Sequence, residues 1–167
     1  MTPDEIKELL KLEPLRMEGG FFRETYRSRW MISPDYLPEG MQGMHSIGTA
    51  IYFMITPESY SRLHRLPGSE IFHYYLGDPA IMLQLKPDGT HETIKLGSDL
   101  SSGARPQVVV RGNVWMGCKL APGGKFALMG TTMSPGFAQS DYHGGVRDEL
   151  IAKYPAAADL IREYTRE

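Results

Sequence analysis

The stretch RLHRLPGSEIFHYYLG, residues 62–77, sets two short extended runs on either side of Pro67-Gly68. Proline fixes φ and glycine tolerates positive φ, so the pair reads as a turn between strands. Side chains alternate faces along a strand. Glu70, Phe72 and Tyr74 therefore point one way, and Ile71, His73 and Tyr75 the other. The same parity puts Arg62 and His64 on one face. A hairpin over the turn would bring His64 opposite Glu70 inside the fold and leave His73 outside or at a subunit contact.

The texture of this stretch recurs along the middle of the chain. FFRETYRSRW, GTAIYFMI, AIMLQLK, HETIKL, QVVVR, VWMGCKL and KFALMGTTM are short, rich in β-branched and aromatic residues, and separated by PGS, GDP, KPDGT, PGGK and SPGF. Many short strands joined by turns imply an all-β sandwich or barrel. The ends differ. Thr2, Pro3 and Glu5 form a capping box with proline at the first helical position, and Ile6, Leu9 and Leu10 follow on one face. At the other end Leu150, Ile151 and Tyr154, then Leu160, Ile161 and Tyr164, carry helical spacing on either side of Pro155. With 167 residues, 41% of them hydrophobic, the chain fits a single domain over residues 1–167.

Eighteen Lys and Arg against 20 Asp and Glu leave a formal charge of −2, which supplies no positive field for nucleic acid. No apolar run is long enough to suggest a membrane span. One cysteine, Cys118, and an N-terminus without a secretion signal fit a cytoplasmic protein.

Glu70, the six residues between it and Gly77, and nearby His64 resemble the second half of the first cupin motif. VRGNVW, residues 110–115, lies where the second motif would fall. The runs GGFFRETYRS, TAIYFMI, HRLPGSEIFHYYLGDP, PQVVVRGNVW, TTMSPGF and DELIAKYP are similar to the cupin-5 family over nearly the whole chain. The resemblance implies a cupin jelly-roll β-barrel with short N- and C-terminal helices, a homodimer, and any ligand pocket in the barrel mouth. It implies no settled reaction. Two departures matter: Trp115 stands where the second motif has histidine, and Val110 where it has proline. Arg62 replaces the other histidine of the first motif, and a cation there repels metal. The expectation is therefore no metal or other cofactor.

The functional expectation is a small polar organic molecule, in one version anionic, bound in the barrel, with metal-free acid–base chemistry of the isomerase or epimerase type. An imidazole held by a carboxylate has a fixed tautomer and raised basicity, which suits His64 and Glu70 as catalytic groups. Tyr74, on the Glu70 face, is the candidate proton donor. Tyr52 is a second donor candidate that would also line the ligand site. Arg23 or Arg27 would bind an anionic group through the guanidinium fork, with Arg62 in a similar position. Trp115 would wall the pocket or belong to the core. The alternatives are a metal-dependent cupin enzyme using His64 and Glu70, a structural His64–Glu70 couple, and a non-enzymatic protein with a vestigial pocket. His45, His91 and His143 have no partner spacing and receive no role.

Overall fold

The computed structural model describes residues 1–165. Helix α1 (Pro3–Leu10) begins at the expected capping box: Thr2 Oγ1 accepts from the Glu5 amide at 3.2 Å, and Glu5 Oε2 accepts from the Thr2 amide at 2.7 Å. It packs Ile6 with Leu12 onto Met54 and Leu128.

Among the described residues thirteen strands follow: β1 (Glu13–Pro14), β2 (Phe21–Arg27), β3 (Met31–Ile32), β4 (His45–Ser46), β5 (Thr49–Ile55), β6 (Ser61–Arg65), β7 (Glu70–Gly77), β8 (Ala80–Leu85), β9 (His91–Leu96), β10 (Gln107–Val110), β11 (Trp115–Leu120), β12 (Ala127–Met133) and β13 (His143–Gly144). Helices α2 (Arg147–Lys153) and α3 (Ala158–Tyr164) close the described chain, separated by a one-turn 3-10 helix at Pro155–Ala157.

Two antiparallel sheets face each other, in the orders β1-β2-β5-β12-β7-β10 and β13-β6-β11-β8-β9, with β3 and β4 forming a separate ribbon. From β4 onward the chain changes sheet at every connection but β8–β9, the habit of a jelly roll. Among the described residues no strand ladder joins the sheets into a closed barrel: the edge strands β1, β10 and β13 are two to four residues long, and the fourth edge, β9, has six. Between the sheets lie Phe53, Phe72, Met82, Met116, Cys118 and Met129. The C-terminal helices cover the outer face of the five-stranded sheet, where Leu63, Leu83 and Leu85 meet Leu150, Tyr154 and Ile161.

The Pro67-Gly68 turn is not a hairpin. Strand β6 belongs to the five-stranded sheet and β7 to the six-stranded one, so the turn carries the chain from one layer to the other. His64 and Glu70 do approach, but across the interior from opposite sheets rather than along one ladder. Alternation on β7 holds as expected from Glu70 to Tyr74, then breaks where the β12 register steps from Tyr74 to Leu76 and leaves Tyr75 as the bulged residue. His73 stays on the outer face, its Nε2 3.0 Å from Thr132 Oγ1 and its Nδ1 3.3 Å from the Gln107 amide nitrogen.

Candidate functional site

Four neighbouring strands of the six-stranded sheet present one row of inward side chains. Directly opposed residues share a face, and the ladder aligns Arg27 with Thr49, Thr49 with Met133, and Met133 with Glu70. The next row aligns Glu24 with Ile51 and Ile51 with Thr131. These residues floor a cavity of about 410 Å³. Leu15, Met17 and Glu18 from the loop before β2 wall it, as do Leu66 and the Phe137–Tyr142 segment. Arg27 and Glu70 stand three strand spacings apart, roughly 14 Å, at its two ends.

At the Glu70 end the groups are linked. His64, 2% exposed, places Nδ1 2.8 Å from the Arg62 carbonyl, so Nδ1 carries the hydrogen and Nε2 faces Glu18 Oε2 at 3.7 Å. Ser61 donates to Glu18 Oε1 at 2.5 Å. The Tyr142 ring stacks on the His64 ring at 5.2 Å between centroids, and its hydroxyl donates to the Met17 carbonyl at 2.9 Å. Glu70 lines the cavity, yet its carboxyl is withdrawn from bulk water. Burial first, then the negative charge of Glu18, pushes it up to about 7, while His64 and the Thr131 hydroxyl pull the other way. A group of this kind exchanges a proton readily near neutral pH.

Glu18 reaches this cluster because Gly19 and Gly20 let its loop press onto the sheet. Both have positive φ, 109° and 76°, and a Cβ at Gly19 would overlap the Tyr60 carbonyl oxygen. Arg62 fixes the same loop: Nε donates to the Glu18 carbonyl at 2.9 Å, and Nη2 to the carbonyls of Met17 and Arg16 at 2.9 and 3.0 Å. The guanidinium expected to meet a ligand is thus a clamp on the main chain. It departs from the His64 face because β6 carries an irregularity: Ser61 and His64 oppose Cys118 and Met116, so three residue steps on β6 match two on β11.

A second bulge, on β2, redirects the arginines. The register with β5 steps from Glu24 to Tyr26, leaving Thr25 extra, so Phe22, Glu24 and Arg27 line the cavity. Arg23 lies outside, its guanidinium 5.5 Å from the Tyr52 ring, and Tyr52 itself meets Tyr75 edge-on under α1. Tyr74 gives its hydroxyl to the Gly77 carbonyl at the far end of β7, where burial and then Asp78 raise its pKa. Trp115 packs beside the C-terminal helices with Arg65 5.1 Å over its ring. The structure therefore brings Glu70 to the cavity, sets His64 behind the cavity-lining Tyr142 ring and beside Glu18, and leaves Tyr74, Tyr52, Arg23 and Trp115 off it. Glu18, Gln139 and Tyr142 went unread because none has a local pattern: the loop clamp and the long return after β12 deliver them.

The donors do not suit the metal expected of many cupins. The inward row across the five-stranded sheet runs from His64 to Met116 and then Gln84, a thioether and an amide where further ligands would stand. Among the described residues no group of three His, Cys, Asp or Glu is disposed to hold a metal ion. Among them too, no helix is long and apolar enough to cross a membrane.

Known proteins share this architecture. A crystal structure of a Shewanella oneidensis protein is 30% identical, with a TM-score of 0.87 over 99% of this chain and 98% of that one. A hypothetical protein from Leishmania major is 26% identical, with a TM-score of 0.90 and full coverage of both chains. An uncharacterized protein of Saccharomyces cerevisiae is 29% identical over 133 residues, 75% of this chain and 66% of that protein, so the match spans just under two thirds of the yeast relative. Oxalate decarboxylase from Bacillus subtilis, 12% identical with a TM-score of 0.52 over 89% of this chain and 35% of that one, shares the fold alone. The Cupin_5 profile, described as cupin superfamily (DUF985), matches residues 4–144, and the chain belongs to that family.

Proposed function

We propose that the protein binds a small organic molecule in this cavity and acts on it by metal-free acid–base chemistry, with Glu70 as the proton-transferring group. The observation that carries this reading is the Glu70 carboxyl, raised to about 7 at the wall of a 410 Å³ cavity. As carboxylate, Glu70 would take a proton from a carbon beside a carbonyl. As carboxylic acid, it would return the proton on the same face to the neighbouring, former carbonyl carbon while the hydroxyl proton passes between the two oxygens, completing an isomerisation. Burial and then Glu18, opposed by His64, keep the two forms of Glu70 close in energy, and the Thr131 hydroxyl holds the carboxyl.

The anionic version of the ligand loses its support. Arg23 and Arg62 point elsewhere, and Arg27 is held by Glu24 at 3.0 and 2.7 Å and by the Phe137 carbonyl at 3.0 Å.

The experiment is exchange of carbon-bound hydrogen in D2O, followed by NMR, over a panel of α-hydroxy and α-amino carbonyl compounds with apolar side chains. Exchange on at least one member, unchanged by chelator and reduced at least 100-fold in Glu70→Gln, is expected. Equal exchange by Glu70→Gln, loss of exchange on chelation, or no exchange across the panel would overturn the proposal.

A further inference from the structure

The polar groups of the cavity are unevenly spread. Of its described lining residues, Glu18, Glu24 and Glu70 are acidic and Arg27 is the basic one. Glu24 and Arg27 neutralise each other through two hydrogen bonds at one end. Roughly 14 Å away, at three strand spacings, Glu18 and Glu70 share a single imidazole, whose Nε2 is directed at Glu18. Among the described residues neither carboxylate is ion-paired with a lysine or arginine, and the neighbouring Arg62 spends its guanidinium on the main-chain carbonyls of residues 16–18. Between the ends the walls are mainly apolar or aromatic, with Leu15, Phe22, Ile51, Met133, Phe137 and the Tyr142 ring, and Thr49, Thr131 and Gln139 add neutral polar groups.

We propose that the cavity selects a ligand with a cationic nitrogen head on an apolar body, the head seated between Glu18 and Glu70 beside the Tyr142 ring. The proposal rests on this cavity being the functional site and adds the class of molecule it takes. An ammonium there donates to both carboxylates and relieves their mutual repulsion. It also meets aromatic faces that attract cations. A carboxylate or phosphate would meet two acids, since the guanidinium at the far end is occupied. A neutral molecule would leave the second acid to hold its proton, the condition reflected in the raised Glu70 pKa. Binding a cation should therefore displace that proton.

The test uses 2-phenylethylamine, its size-matched acid 3-phenylpropionate and the neutral 3-phenylpropanol, each titrated by calorimetry and by amide NMR. The amine is expected to bind at least ten-fold more tightly than the acid, with shifts at cavity-lining residues. It should release about half a proton at pH 7, read from buffers of different ionisation heat, because Glu70 titrates near 7. Glu70→Gln should abolish the proton release and at least five-fold of the preference. Glu18→Gln should weaken the amine and not the alcohol. Equal or tighter binding of the acid, proton uptake with the amine, no amine binding at millimolar concentration, or a preference untouched by Glu70→Gln would overturn the inference. Hydrogen exchange on a neutral substrate without amine preference would sink this inference and leave the acid–base reading standing. Amine preference without exchange would do the reverse.

Discussion

Burial makes the ionised form of Glu70 costly, and its own titration exposes that cost. Its folded pKa of about 7 lies above its ordinary value of 4.5, so the native state binds the proton more tightly than the unfolded state does. The resulting stabilisation is fully present below about pH 4.5 and is lost as pH rises through about 7. A shift of this size corresponds to about 3 kcal/mol. Glutamine keeps the shape and cannot ionise. Glu70→Gln should therefore gain about 3 kcal/mol relative to wild type between pH 4.5 and pH 8 in urea unfolding followed across pH. A difference that stays flat with pH would show that Glu70 ionises as an exposed carboxyl does. The sequence allowed Glu70 and His64 to be named, because a carboxylate and an imidazole beside a Pro-Gly turn are few and local. Glu18 could not be named, since the Arg62 clamp that delivers it joins residues more than forty positions apart.

The elements themselves were legible, since alternation, turn residues and a capping box are written locally. Their irregularities were not. The bulges at Thr25 on β2 and Tyr75 on β7, and the irregularity on β6, each depend on the partner strand. One extra residue turns every later side chain to the other face. This is why Arg27 rather than Arg23 lines the cavity, and why Arg62 parts from His64. Close approaches between elements separate two glycines that look alike in sequence. A Cβ at Gly112 would overlap the Pro67 carbonyl oxygen, which is main chain in the crossover turn itself. A Cβ at Gly130 would meet the Tyr75 hydroxyl and ring, the far end of a half-exposed side chain. Gly112→Ala should cost about 3 kcal/mol and Gly130→Ala about 1 kcal/mol or less, because only Tyr75 can swing aside. Chemical denaturation of both variants checks the order, and equal costs would contradict the account of the crossover.

Over the whole molecule, the two-sheet sandwich packs Phe53 and Met129 against the five-stranded sheet but leaves the end of β2, β5 and β12 that carries Arg27, Thr49 and Met133 outside that core. Loops cover it instead, and the space they enclose is the cavity. The Phe137–Tyr142 wall is tied down by a buried pair, His45 Nε2 to Asp141 Oδ2 at 2.8 Å, linking the β3–β4 excursion to the segment that carries Gln139 and Tyr142. The sequence gives no sign of this pair, as 96 residues separate its members. Removing one partner of a buried pair strands the other, so His45→Ala should cost about 3–5 kcal/mol in urea unfolding. Asp141→Asn, which keeps a hydrogen-bonding side chain, should cost less. A loss below 1 kcal/mol for His45→Ala would mean the wall stands without the tie. The chemistry assigned to the cavity rests on one protonation equilibrium. Carbon-13 NMR of protein labelled at the glutamate carboxyls, with Glu70 assigned by its absence in Glu70→Gln, reads that equilibrium directly. The account predicts a midpoint of about 7 for Glu70, and a midpoint in the ordinary carboxylate range near 4.5 would contradict it.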